Sequence, residues 1–241
     1  MDARILGIVG GIGPESTLDY YRRLIDAYHA RRDPRSHPPV IINSLDSGSL
    51  IAGLVAGDLE PARRSVATAV EQLAAAGAGI ALIASVATHS VFETVAPAAS
   101  IPMLSIIRAT CRAALAAGIR QPAIFAPRVT TEGAFFARPF EAAGIALVRP
   151  AEPEGAWINE IYLGELLQGV IRESTRARLL EILAELRGSS GADGLILGGT
   201  ELSLILPEPT YDGLPVLNAA AIHVAESIDW LLGADSPGPD G

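Results

Sequence analysis

Three segments of the chain combine glycines with hydroxyl, carboxyl or imidazole groups, the materials of a small-ligand site. The first is Gly10-Gly11-Ile12-Gly13-Pro14-Glu15-Ser16-Thr17. Glycines after an apolar run let a backbone approach a ligand closely, and a helix start offers N–H groups to an anion. Gly11 and Thr17 are the candidate contacts. A dinucleotide fingerprint is not matched: G-x-G-x-x-G is absent and Pro14 follows the third glycine. The apolar run 40–43 leads into Ser44-Leu45-Asp46 rather than closing on an acidic residue. The segment reads as a docking turn for a small carboxylate or as a plain strand-to-helix turn, with Asp46 a candidate pocket charge.

The second segment is Ser85-Val86-Ala87-Thr88-His89. Ser85 closes an apolar run, and His89 follows four residues later, within reach if a helix begins there. A nucleophilic serine needs a base and an oxyanion hole. No G-x-S-x-G elbow is present, so Ser85 reads as a catalytic candidate or as a polar contact. The third is Gly198-Gly199-Thr200-Glu201. Its two glycines are expected to leave open space at a strand end, where N–H groups of Thr200 and Glu201 could bind a carboxylate. Glu201 is either an acid–base group or a structural carboxylate. Arg128 and Thr130, after the run 123–125, add a pocket cation (or a surface ion pair) and a hydroxyl.

Composition removes other chemistries. All 18 basic residues are arginine. Without lysine there is no Schiff base to pyridoxal phosphate and no P-loop lysine. Cys111 is the only cysteine, so no intramolecular disulfide and no cysteine-built zinc site can form. His29, His37, His89 and His223 are scattered, with no HxxxH pair. No metal or cofactor is expected. The net charge of −9 disfavours nucleic acid. No apolar run approaches the ~20 residues that span a bilayer. The opening Met1-Asp2-Ala3-Arg4 lacks a signal-peptide plan. A cytoplasmic protein with no membrane partner is expected.

The elements that must position these residues alternate. Strands are expected at 4–9, 40–43, 79–85, 103–106, 123–125, 146–148, 194–197 and 216–217. Helices are expected after the first glycine turn and at 61–76, 107–117, 131–143, 157–168, 174–186 and 219–232. Continuous apolar strands between helices imply an α/β fold with parallel sheets covered on both faces. The pattern restarts near Gly118-Ile119-Arg120-Gln121-Pro122. Two Rossmann-like lobes follow, 1–117 with 219–232 and 118–218, then a flexible tail at 233–241. Ligands in such folds sit beyond the carboxyl ends of the strands.

The ordered motifs resemble the aspartate/glutamate racemase family, the cofactor-independent amino-acid racemases. Gly10 through Thr17 followed by Tyr20-Tyr21 resembles its opening G-G-M-G-P-E-A-T…Y-Y. Arg128-Val129-Thr130-Thr131-Glu132-Gly133 resembles G-T-R-F-T-M-E-G, and Ile161-Tyr162-Leu163-Gly164-Glu165-Leu166 resembles I-Y-x-E-L. Leu195 through Leu202 resembles I-L-G-C-T-E-[IL], and Leu214 through Asn218 with His223 resembles P-V-x-D…H. The resemblance implies two pseudo-symmetric lobes with the active site between them, a homodimer, and an amino-acid or other small carboxylate substrate. It also implies two cysteines on opposite faces of the substrate Cα, since inversion needs a base on one face and an acid on the other. The first cysteine position falls on Ser85 and the second on Gly199. Cys111 falls outside both, as a buried small hydrophobe in a helix. A serine hydroxyl is a far weaker acid and base than a thiol near neutral pH. The expected function is a family member with altered chemistry (isomerase, lyase, decarboxylase or cyclase), or a non-catalytic amino-acid-binding protein. Gly11, Thr17, Asp46, Arg128, Thr130, Gly199 and Thr200 would hold the ligand, with Ser85, His89 and Glu201 as catalytic candidates.

Overall fold

The computed structural model describes residues 4–234. Two compact units divide the chain: one runs to Ala109 and resumes at Ala220, the other is Thr110–Ala219. The expected tail at 233–241 lies, from 235 onward, outside the described residues.

The first unit begins β1 (Leu6–Gly10), α1 (Pro14–His29), β2 (Val40–Ser44), α2 (Gly48–Ala56), α3 (Glu60–Ala75) and β3 (Ile80–Ile83). A 3₁₀ turn, Ala87–Val91, leads to α4 (Phe92–Val95), β4 (Met103–Leu104) and α5 (Ile106–Ala116), whose residues from Thr110 on belong to the second unit. The sheet order is β2-β1-β3-β4, all parallel. Every residue of β1 and β3 is buried, as parallel strands covered on both faces require. Helix α3 turns Ala62, Val66, Ala69, Val70 and Leu73 to the core, one stripe at helical spacing. They pack with Val9, Ala81 and Ile83. Helix α2 is not among the expected elements. Leu50 and Leu54 anchor it to the same core.

The second unit contains β5 (Pro122–Phe125), α6 (Arg128–Thr131), α7 (Ala134–Ala142), α8 (Glu154–Gly164), α9 (Glu173–Ser190), β6 (Gly194–Leu197), α10 (Leu202–Ile205), β7 (Thr210–Tyr211) and β8 (Leu214–Asn218). Helix α11 (Ala219–Leu232) returns to the first unit. The order is β5-β6-β8-β7, with β7 antiparallel to β8 and the other neighbours parallel. Leu179, Ile182, Leu183 and Leu186 of α9 pack with Phe125, Leu195 and Leu197.

Three expected elements are corrected. The helix at 131–143 is two: Gly133 adopts an extended backbone (φ −73°, ψ 121°) and separates α6 from α7. The strand at 146–148 reduces to a single bridge, Ala123 with Val148. Pro150, two residues on, has no N–H to extend the ladder. The helix at 157–168 begins at Glu154 and ends at Gly164, and a 3₁₀ turn, Leu166–Gln168, follows.

Candidate functional site

The glycine turn of the first unit is braced by Thr17. The Gly11 N–H donates to Thr17 Oγ1 at 2.9 Å, and that hydroxyl donates to the Gly13 carbonyl at 3.3 Å. Gly11 has φ +78°, and a Cβ there would lie 2.5 Å from the Leu45 carbonyl oxygen. Only glycine fits that left-handed, closely packed position. Thr17 is thus a structural brace of the loop that Gly11 turns. Asp46, in the neighbouring loop after β2, is exposed and accepts a bond from the Gly48 N–H at 3.3 Å.

Ser85 lies just past the carboxyl end of β3 and is 8% exposed. Its Oγ accepts bonds from the Thr88 hydroxyl at 2.9 Å and the Thr88 N–H at 3.4 Å, which leaves its own proton for a ligand. The His89 ring bonds the backbone on both sides rather than the Ser85 hydroxyl. His89 Nδ1–H donates to the Ser85 backbone carbonyl at 2.8 Å, and Nε2 accepts from the Ile106 N–H at 3.2 Å. Both ring nitrogens are occupied by backbone. Burial holds the imidazole neutral, with its pKa down from 6.5 to about 4. The Ser85 and Leu104 carbonyls, which favour the charged form, do not offset that burial. His89 also lies edge-on to buried His223, ring centroids 6.1 Å apart. His223 Nε2–H donates to the Leu104 carbonyl at 3.1 Å, and Nδ1 accepts from the Tyr20 hydroxyl at 3.0 Å. These rings fix the loop after β4 to the loop after β3 and to α1.

In the second unit, Gly199 follows β6, but the expected open space is absent. A Cβ at 198 would lie 3.0 Å from the Ala126 Cβ. A Cβ at 199 would lie 2.4 Å from Tyr162 Cε2, 2.9 Å from Cζ and 3.0 Å from the hydroxyl oxygen. The Tyr162 ring, carried by α8, occupies the volume a side chain at 199 would need. The glycines are there for close packing, not for room. The Tyr162 hydroxyl donates a short hydrogen bond to Glu201 Oε2, and Thr200 Oγ1 donates to the same oxygen at 3.0 Å. Glu201 is 2% exposed and Thr200 is 4% exposed. Burial, then the charge of Glu201 and the bond to it, raise the Tyr162 pKa well above 10, so the phenol stays protonated. A phenol donating to a buried carboxylate can hold or relay a proton.

Arg128 begins α6 and is paired: Nε donates to Glu132 at 2.5 Å and Nη2 to Glu152 at 3.1 Å. Its N–H donates to Asn159 Oδ1 at 2.9 Å. Glu132, and less so Glu152, raise the Arg128 pKa. Thr130 is fully buried, and its hydroxyl has no hydrogen-bond partner among the described residues. A cavity of about 120 Å³ opens beside Arg128, lined also by Ala126, Thr131, Glu132, Arg149 and Glu152. Cys111 is buried in α5, with its thiol donating to the Pro139 carbonyl at 3.4 Å and its pKa raised by burial.

The sequence reading missed Thr88, Tyr162 and Arg149. Tyr162 carried a signal, since it stands in the I-Y-x-E-L-like segment. Arg149 carried none, lying just past the short run 146–148 assigned to a strand.

Helix-covered, largely parallel sheets, each with polar groups clustered past its strand ends, define a two-unit α/β protein. The model of the Asp/Glu/hydantoin racemase family matches residues 9–227, and the chain belongs to that family. Among solved structures it is similar to a candidate Asp/Glu racemase from Yersinia pestis: 28% identity, TM-score 0.84, 95% of this chain and 99% of that one. An aspartate racemase homologue from Pyrococcus horikoshii shares 28% identity at TM-score 0.81, with the same coverage. The aspartate racemase of Picrophilus torridus shares the fold at 19% identity and TM-score 0.74, covering 95% of this chain and 94% of that one. Among the described residues, no helix is long and apolar enough to cross a membrane.

Proposed function

We propose that the chain binds a small carboxylate of the amino-acid or dicarboxylic-acid class and acts on it by chemistry other than two-thiol racemisation. The reaction class is an isomerisation that uses unusual bases, or an elimination, decarboxylation or cyclisation that needs activation on one face of the substrate only. It runs without pyridoxal phosphate or another cofactor. The observation that carries this reading is the Tyr162 ring against Gly199. In this reading Gly199 stands at the family's second cysteine position, and the space beside it is filled by a phenol bonded to Glu201. The only thiol in the chain, Cys111, faces the Pro139 carbonyl instead.

In this reading Ser85 donates a hydrogen bond to the ligand, and Glu201 with Tyr162 handles the proton. His89 acts as a positioning residue that sets the Ser85 loop. Gly11, Asp46, Thr130 and Thr200 contribute ligand contacts, and Thr17 keeps the Gly11 turn in shape. The active form is a homodimer in the cytoplasm; light scattering at twice the chain mass checks the assembly.

A second reading, a non-catalytic amino-acid sensor, draws on the absence of a base at Ser85, since both His89 nitrogens are held by backbone. The experiment is a calorimetric screen of amino and dicarboxylic acids, followed by NMR detection of product from each binder. Binding with turnover supports the enzyme. Binding without turnover by any binder supports the sensor. No binding by any carboxylate overturns both.

A further inference from the structure

The cavity beside Arg128 holds two guanidinium groups in different states. Arg128 is neutralised by two carboxylates, Glu132 and Glu152. Arg149 is not: its Nε donates to the Thr131 carbonyl at 2.7 Å, and its Nη1 and Nη2 groups have no partner among the described residues. That backbone bond fixes the plane of the guanidinium and leaves the terminal fork open. Four further donors in a rigid fork match the two oxygens of a carboxylate.

We infer that Arg149, not Arg128, is the carboxylate anchor of the second unit, and that the cavity it lines is a subsite for the charged end of a small carboxylate. The inference rests on the proposed function for its ligand class. Three features support it. The cavity measures about 120 Å³, well below the roughly 300–1,000 Å³ of a drug-sized site. It therefore takes one end of a ligand or a short molecule, not a nucleotide. Its apolar floor, Ile124, Ala126 and Ile158, suits a methylene chain. It lies at the carboxyl end of β5, and Ala126, which lines it, also packs on Gly198 at the end of β6. The subsite and the Gly199–Tyr162–Glu201 cluster thus share the strand-end surface of one sheet.

With a net charge of −9, an anchored cation offsets the long-range repulsion of an anionic ligand. Glu132 and Glu152 hold Arg128 and so confine the available positive charge to Arg149. An exposed anchor of this kind is screened by salt, so affinity falls as ionic strength rises.

The test is calorimetric titration of the wild-type protein, Arg149→Ala and Arg149→Lys with L-aspartate and succinate. Succinamide serves as the uncharged control and inorganic phosphate as the competing anion. Arg149 is exposed and makes one backbone bond, so the variants keep the wild-type circular dichroism and melting point. Arg149→Ala is expected to weaken carboxylate binding at least about tenfold, the scale of one charge-assisted bidentate pair. Arg149→Lys retains the charge but loses the fork, and falls between the two. Succinamide shows no dependence on residue 149, and phosphate binds less tightly than succinate. Carboxylate binding to wild type that is unchanged in Arg149→Ala overturns this inference and leaves the proposed function standing. Tighter binding of phosphate than of succinate overturns the ligand class assigned to Arg149. Wild-type protein that binds no carboxylate overturns the proposed function and, with it, this anchor.

Discussion

Gly199→Ala adds one methyl group, and the structure dictates its cost. The new carbon would lie 2.4 Å from Tyr162 Cε2, whereas carbon atoms pack best at about 3.5–4.0 Å. The ring must therefore retreat by roughly 1 Å, from a site where Tyr162 is 7% exposed. Its hydroxyl is tied to Glu201, so a retreat also stretches that bond. Overpacking costs about 1–3 kcal/mol, and a hydrogen bond to a charged group is worth about 1.5–3 kcal/mol. Part of each is recovered by relaxation, and a net loss of about 2–4 kcal/mol is expected. The sign is informative because Gly199 is not in the left-handed region. At a roomy position of that kind, Gly→Ala stabilises by about 0.4–1 kcal/mol. Urea unfolding with an unchanged slope reads the difference as a lower midpoint. Repeating the substitution in a Tyr162→Leu background, where the offending ring edge is gone, is expected to shrink the loss to under about 1 kcal/mol, the rest appearing as coupling between the two positions. A neutral or stabilising Gly199→Ala, or the same loss in both backgrounds, would refute the packing argument.

Other expectations follow from buried groups. His89 titrates near 4 in the folded chain and near 6.5 when unfolded. Between those values the unfolded chain binds a proton that the folded chain refuses, so stability is full above about pH 6.5 and falls as pH drops toward 4. The loss reaches roughly 3 kcal/mol, and His89→Gln should flatten that part of the stability–pH curve relative to wild type; parallel curves would contradict the assignment. Burial raises the Cys111 pKa, so the native thiol should resist iodoacetamide at pH 8 and react promptly in urea. Cys111→Ala should leave ligand binding and any turnover intact; loss of either in a folded variant would mean that the thiol has a role.

Much of the frame was legible because local pattern governed it. The runs of β1, β3, β5 and β6 are apolar, and a glycine, a proline or a hydroxyl residue soon follows each, so strands and strand-end loops could be read directly. Where tertiary partners decided, the pattern misled. Gly198-Gly199 looked like open space because Tyr162 fills it from 37 positions away in the chain and Ala126 closes on it from another strand. Ser85 and His89 had the spacing of a pair, yet the imidazole bonds the carbonyl of residue 85 rather than its hydroxyl, a choice that the Ile106 N–H on the far side of the ring helps to fix. Arg128 and Arg149 are equivalent as letters. Only the placement of Glu132, Glu152 and the Thr131 carbonyl distinguishes a guanidinium neutralised by two carboxylates from one held by a single backbone bond. Helix α2, anchored by Leu50 and Leu54, was not among the expected elements.

The most direct measurement is deuterium incorporation at Cα of L-aspartate and L-glutamate in D₂O, followed by proton NMR with protein in stoichiometric amounts. With a single thiol in the chain, Cys111, turned to the Pro139 carbonyl, and the Tyr162 ring packed against Gly199, the Cα signals should persist as in buffer alone. Rapid loss of those signals, with the other enantiomer appearing, would contradict the account at its root.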